Sequence, residues 1–126
     1  MGSDLQSLTE LRARPGLPGN RAVFTESERA HCERRPDPLA SYGGLLCAKE
    51  ACFKALSDFA DRPPLTFLDL QIGHDAAGRP HLAPRGRLLH WLRATQLCLD
   101  VTISHSADYA TATVVAVRLH GPRPTP

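Results

Sequence analysis

Apolar positions along this chain fall into blocks whose spacing changes from helical to alternating. Leu5, Leu8 and Leu11 recur at helical spacing, so residues 4–13 read as a strand end or turn running into a short helix. Two prolines and two glycines between Pro15 and Asn20 mark a loop. Thr25 and Glu28 then have the spacing of a capping box, with Val23 or Phe24 as the staple, and the helix they open should stop near Arg35, before Pro36 and Pro38. A long central helix is expected from about Leu39 to about Asp58, ended by the run Asp61-Arg62-Pro63-Pro64. Leu65 to Ile72 alternates as a strand, 73–78 is a turn, and 79–83 returns as a short strand. Pro84 to Thr95 suits a helix with Leu88, Leu89, Trp91 and Leu92 inside. Two strands follow, Leu97–Ser104 and Tyr109–Leu119. Beyond the N-terminal segment the order is α, α, β, β, α, β, β. This is an α+β domain with a small antiparallel sheet packed against helices, spanning residues 1–120. Residues 121–126, rich in proline, read as a disordered tail.

The central helix carries the most information. Ala48, Cys52, Ala55 and Phe59 form one apolar stripe, while Leu46 and Phe53 flank Glu50 and Lys54 on roughly the opposite side. A helix apolar on more than one face should be central in the fold. Charges on such a helix need partners, because a buried unpaired charge costs several kcal/mol or is neutralised. A metal ion and a phosphorylated ligand would supply them. Glu50 and Lys54 are equally an i, i+4 pair of the kind that stabilises an ordinary helix by about 0.2–0.5 kcal/mol.

Composition narrows the possibilities. The chain has 126 residues, 42% hydrophobic and 22% charged, which suits one domain with one core. No apolar run approaches the ~18 residues that span a membrane, and the start lacks a secretory pattern. Cys32, Cys47, Cys52 and Cys98 form no Cys-x-x-Cys, so neither a zinc site nor a disulfide framework is indicated. Reduced, mostly buried thiols in a cytoplasmic protein are the expectation. Net charge is only +2, yet Arg12, Arg14, Arg21, Arg29, Arg34 and Arg35 crowd the first third. They either steer an acidic protein partner or form ordinary solvated surface. Nucleic acid does not fit a weakly basic domain with few aromatics.

Four separated elements complete the reading. They are Asp4, the Phe24-Thr25-x-x-Glu28 helix opening, the run Ala48-Lys49-Glu50-Ala51-x-x-Lys54-Ala55-Leu56, and Ile103-Ser104-His105-Ser106 with Tyr109-Ala110. With Gly78-Arg79-Pro80 they resemble the holo-acyl-carrier-protein synthase type of 4'-phosphopantetheinyl transferase, and the transferase domain of fungal type I fatty acid synthases. The resemblance covers the chain from Asp4 to about Val117. It implies transfer of the phosphopantetheine arm of coenzyme A to a serine of an apo acyl carrier protein, with adenosine 3',5'-bisphosphate released. It implies Mg²⁺ held by Asp4 and Glu50, both oxygen donors suited to a hard cation. Glu50, or a water it holds, would take the serine proton. Lys54 would meet the diphosphate. Lys49 would reach the nucleotide end or a neighbouring subunit, and Arg79, Ser104 and His105 would approach the coenzyme, with Ser106 as a further donor. It further implies a cytoplasmic homotrimer with coenzyme A at the subunit boundaries, serving fatty acid or polyketide synthesis.

The chain departs from that family's pattern in three places. Only three residues precede Asp4. Leu5-Gln6-Ser7-Leu8 and Glu10 replace an Ile-Val-Glu-Ile run and an arginine that addresses the carrier, a task open to Arg12 and Arg14. Ser57 stands for a glycine. These changes lean towards a specialised transferase. The alternative is a non-catalytic carrier- or coenzyme A-binding domain that kept the fold.

Overall fold

A computed structural model of the chain describes residues 1–119, so the tail expected over 121–126 lies outside the described residues. The elements run β1 (Gly2–Ser7), α1 (Leu8–Arg12), α2 (Glu26–Glu33), α3 (Pro38–Leu56), β2 (Ile72–His74), β3 (Pro80–Leu82), α4 (Gly86–Thr95), β4 (Leu97–His105) and β5 (Tyr109–Arg118). β1, β5 and β4 form an antiparallel sheet in that order, and β2 and β3 form a separate hairpin. No helix among the described residues is long and apolar enough to cross a membrane.

β5 is the middle strand because it can bury one face completely. Ala110, Ala112 and Val114 alternate inward and are almost wholly buried, while Tyr109, Thr111, Val115 and Val117 face outward. The inward residues are small, and so are the residues of α3 that meet the sheet. A Cβ on Gly43 would lie 3.5 Å from Ala110 Cβ, and one on Gly44 would lie 2.8 Å from Ile103 Cγ2. With Ala48, Ala51 and Ala55 also buried, α3 lies close on the sheet and forms the centre of the core. The central position expected of this helix is what the structure shows.

Three local expectations are corrected. Leu5 belongs to β1 and is 64% exposed, whereas Leu8 and Leu11 are buried on α1, so the helical spacing begins one element later. Residues 65–71 turn and do not form a strand; only Ile72 enters β2. The turn points the carbonyls of Phe67 and Leu70 at Lys49, which needs them. α4 starts at Gly86, not Pro84, because Ala83 and Arg85 donate backbone hydrogen bonds to Gln71 and Asp69 and so prolong the hairpin ladder.

The capping box of α2 forms as its spacing predicts. Thr25 Oγ1 accepts from the Glu28 amide at 3.3 Å, and Glu28 Oε1 accepts from the Thr25 amide at 2.8 Å. Thr25→Ala should lower stability by about 1 kcal/mol and Thr25→Ser by much less, read as urea midpoints at pH 7. Equal midpoints for Thr25→Ala and the unmodified chain would show that the cap contributes nothing.

Candidate active site

The residues singled out from the sequence fall into two groups on different sides of α3, with Lys49 in neither. The first is an acidic cluster where β1 crosses α3. Lys54 Nζ lies 3.0 Å from Asp4 Oδ1 and also donates to the Ser3 carbonyl at 3.0 Å. Asp4 is only 20% exposed, while Lys54 is 56% exposed. Partial burial pushes the Glu50 carboxyl above its usual range; the charge of Asp4 pushes the same way, and Lys54 opposes them. Cys47 completes the cluster. Burial, then Asp4, raises its thiol to about 12, so it stays protonated, and Sγ donates to the Ala110 carbonyl at 3.4 Å.

Asp4 reaches this place because β1 comes unusually near the helix. A Cβ on Gly2 would lie 2.6 Å from the Ala55 amide nitrogen and 2.9 Å from Lys54 Cβ, and it would also strike the Ala51 carbonyl oxygen. β1 is paired along its whole length with β5, Gly2 opposite Val114 and Asp4 opposite Ala112. The Thr111 hydroxyl donates to the Asp4 carbonyl at 3.0 Å. The segment before Asp4 is therefore an anchored strand.

The second group surrounds a cleft of about 300 Å³ between α3, the end of α2, the β2–β3 hairpin and the end of β4. His105, Gly78 and Pro80 line it, together with His31, Arg35 and His74. The His31 and His74 rings stack 3.7 Å apart at 9°. Burial and the nearby arginines push His31 down. Burial first, then His31, His81 and Arg35, pushes His74 to about 4, with Asp75 opposing. Both rings are neutral at pH 7, and the fixed positive charge on the wall is Arg35. Arg79 is exposed in the turn between the cleft-lining Gly78 and Pro80, whereas Ser104, also exposed, alternates with the cleft-lining Ile103 and His105 and pairs with the outward Thr111, on the other face of β4. Ser106 serves the chain itself: its hydroxyl accepts from the Asp108 and Tyr109 amides at 3.3 Å each and shapes the β4–β5 turn.

Lys49 corrects the expectation placed on it. Its side chain is 0% exposed and its ammonium lies 2.9 Å from Glu28 Oε1. It also donates to the carbonyls of Phe67 at 2.6 Å and Leu70 at 3.2 Å. An ammonium with three buried acceptors and no route to solvent reaches neither a nucleotide nor a second subunit. His31 and His74 carry no assignment in the sequence because no spacing links them, and Arg35 reads there only as one of the crowded arginines; only the fold stacks one ring on the other.

Ser41, Gly44 and Leu45 line the cleft from α3. Glu50 lies nine, six and five residues further along, which places it about 120–180° around the helix from them. Within one chain the acidic cluster and the cleft therefore face different ways. Among the described residues no group of three or more His, Cys, Asp and Glu side chains is placed to hold a metal. Asp4 and Glu50 alone fit a hard divalent cation in kind. They are oxygen donors whose mutual repulsion already shows in Glu50, and Mg²⁺ takes one or two carboxylates plus substrate oxygens and water.

The arrangement combines a small α+β fold, a carboxylate pair with a lysine, and a basic cleft. The sequence model of the 4'-phosphopantetheinyl transferase superfamily matches residues 1–114. The holo-acyl-carrier-protein synthase of Myxococcus xanthus is 36% identical over 91% of each chain, and that of Chloroflexus aggregans is 34% identical over 91% of this chain and 92% of its own. Among solved structures, the ACPS–CoA complex from Chronobacterium ammoniagenes superposes with a TM-score of 0.79 at 28% identity, covering 94% of this chain and 96% of that one. The synthase of Neisseria meningitidis gives 0.78 at 27% identity, covering 92% and 95%. The chain belongs to the 4'-phosphopantetheinyl transferase superfamily and, within it, is an enzyme of the holo-acyl-carrier-protein synthase family.

Two outcomes test this geometry. Gly2→Ala should cost about 1–3 kcal/mol, because the new methyl has only backbone and Lys54 Cβ to displace. It should also loosen Asp4 from Lys54, read by urea unfolding and by faster amide exchange in β1; unchanged exchange there would contradict the close approach. The second outcome concerns pH. An imidazole with depressed proton affinity binds fewer protons folded than unfolded, so its contribution to stability is lost as pH falls from about 6.5 towards about 4. His74→Gln should flatten the stability profile across that window relative to the unmodified chain. Parallel profiles would show that His74 is not held neutral.

Proposed function

We propose that this chain transfers the 4'-phosphopantetheine arm of coenzyme A to a serine of an apo acyl carrier protein, Mg²⁺-dependently, and releases adenosine 3',5'-bisphosphate. The observation that carries the reading is the Asp4–Glu50–Lys54 cluster: two mutually repelling carboxylates and one exposed ammonium where β1 meets a largely apolar helix. Asp4 and Glu50 would hold the cation. When bound, it offsets the charge of the diphosphate and makes the phosphorus receptive to a nucleophile. Lys54, more than half exposed and held by Asp4 and the Ser3 carbonyl, would exchange these partners for the diphosphate and stabilise the departing phosphate.

Glu50, as a carboxylate whose proton affinity burial and Asp4 raise, would take the serine proton directly or through a water. The serine oxygen then bonds to the phosphorus that carries the pantetheine. The bridging oxygen–phosphorus bond breaks, and its electron pair leaves with the adenosine bisphosphate. His105, with the Gly78-Arg79-Pro80 turn, would hold the coenzyme at the cleft, and Ser104 would approach it from the other face of β4. The complexes with coenzyme A known for relatives, such as that of the Helicobacter pylori synthase, support a coenzyme site in this fold.

A homotrimer belongs to the same proposal. The carboxylate cluster and the cleft face different sides of α3, and a second copy would bring one copy's cluster to the next copy's cleft. The outward face of β1 and β5 carries Leu5, Tyr109, Val115 and Val117, each 40–64% exposed, which suits an interface. Cytoplasmic residence follows the carrier and the coenzyme.

Incubation with coenzyme A, Mg²⁺ and a panel of apo carriers should add the mass of one phosphopantetheine arm to a carrier. Glu50→Gln should cut the rate roughly a hundredfold or more while leaving the metal-free chain at least as stable at pH 7, since it removes a disfavoured charge. A folded chain that modifies no carrier would leave the reading of a non-catalytic binding domain.

A further inference from the structure

Lys49 and Glu28 form the one charge pair among the described residues that no step of the reaction uses and that is shut off from solvent, both side chains being 0% exposed. Glu28 belongs to α2, Lys49 to α3, and the pair reaches a third element. Glu28 Oε2 accepts from the amide of Ile72, the first residue of β2, at 2.9 Å. Glu28 Oε1 takes both Lys49 and the Thr25 amide. The two remaining Lys49 donors go to the carbonyls of Phe67 and Leu70, in the segment leading to β2. Every polar atom of the pair is used, and the ammonium sits 5.9 Å from the centroid of the Phe24 ring.

The same three elements form two walls of the cleft. One wall is α3, through Ser41, Gly44 and Leu45. The opposite wall is the stack of His31, three residues after Glu28 on α2, and His74, two residues after Ile72 on β2. A single carboxylate thus holds the helix and the strand from which the stacked rings project, and a single ammonium ties both to α3. Buried ion pairs are weak contributors to stability compared with apolar replacements, so this one has a better physical rationale as a geometric clamp.

We infer that Lys49 and Glu28 are positioning residues for the coenzyme, setting the width of the cleft by clamping α2 and β2 to α3 without touching substrate. The inference rests on the reading of the cleft as the coenzyme site. It makes Lys49, next in sequence to Glu50, a residue whose effect is on binding and not on chemistry.

The test uses Glu28→Gln and the double variant Glu28→Gln with Lys49→Met, which leaves no unpaired buried charge. Each is measured with coenzyme A, Mg²⁺ and a carrier accepted by the unmodified chain, well below its own melting temperature. KM for coenzyme A should rise roughly tenfold, with kcat and KM for the carrier changing less than about twofold. The His31 and His74 ring resonances should shift in nuclear magnetic resonance spectra of the folded variants. Unchanged KM for coenzyme A in folded variants would overturn the inference, and so would loss of cooperative unfolding in both, which would reduce the pair to maintenance of the fold. Failure of the unmodified chain to bind coenzyme A would instead overturn the proposed function, and that control separates the two.

Discussion

The close approach of α3 to the sheet is the constraint on which the rest depends. It is achieved by absence of bulk on both sides: Gly43, Gly44, Ala48, Ala51 and Ala55 on the helix, Gly2, Ala110 and Ala112 on the strands. Dispersion contacts fall off steeply with separation, so a helix lying close gains many of them despite its small side chains. The cost is intolerance. At Gly2 the atoms in the way are mostly backbone, which cannot turn aside as a flexible side chain could. The carboxylate of Asp4 is delivered to the helix by this packing, since the strand that carries it has no freedom to stand further off.

A helix enclosed on so much of its circumference has few places to put a charge. Lys49 and Glu50 are neighbours in sequence and meet opposite fates. Lys49 turns inward, where a carboxylate and two carbonyls satisfy it completely. Glu50 turns towards another carboxylate and is left with an excess of negative charge that Lys54 only partly offsets. Burial lowers the proton affinity of Lys49 and Glu28 offsets this only in part, whereas burial and Asp4 act on Glu50 in the same direction. The paired lysine suits architecture, and the cluster with excess negative charge suits chemistry that brings its own cation and phosphates.

This contrast explains which parts of the molecule were legible in the sequence. Local rules carried the Thr25–Glu28 cap, the central helix and the last hairpin, because each depends on neighbours within a few residues. The roles proposed for Asp4, Glu50 and Lys54 rest on a family resemblance, and the fold adds that Asp4 and Lys54 meet across fifty residues. Lys49 was misread because a helical wheel gives the angle between Lys49 and Glu50 but not which side the capped helix packs against. The segment 65–71 was misread for a linked reason: its alternation imitates a strand, while the buried ammonium demands turned carbonyls. The stacked His31 and His74 left no signal, since their pairing depends on α2 and β2 being brought together.

Glu28 shows how one residue can satisfy a local rule and a distant one together. As the third residue of α2 its carboxylate closes the capping box, a task any glutamate there performs through one oxygen. The second oxygen and the remaining capacity of the first are available for the Ile72 amide and Lys49, and the structure uses both. In the folded chain the local motif and the tertiary contacts use one and the same Glu28 rotamer. Sharing that rotamer spreads the entropy lost on ordering the side chain over the cap, the Ile72 amide and the ion pair. It also gives the cap a consequence beyond the end of its own helix: any change that frees the Glu28 side chain removes the one carboxylate shared by α2, α3 and β2.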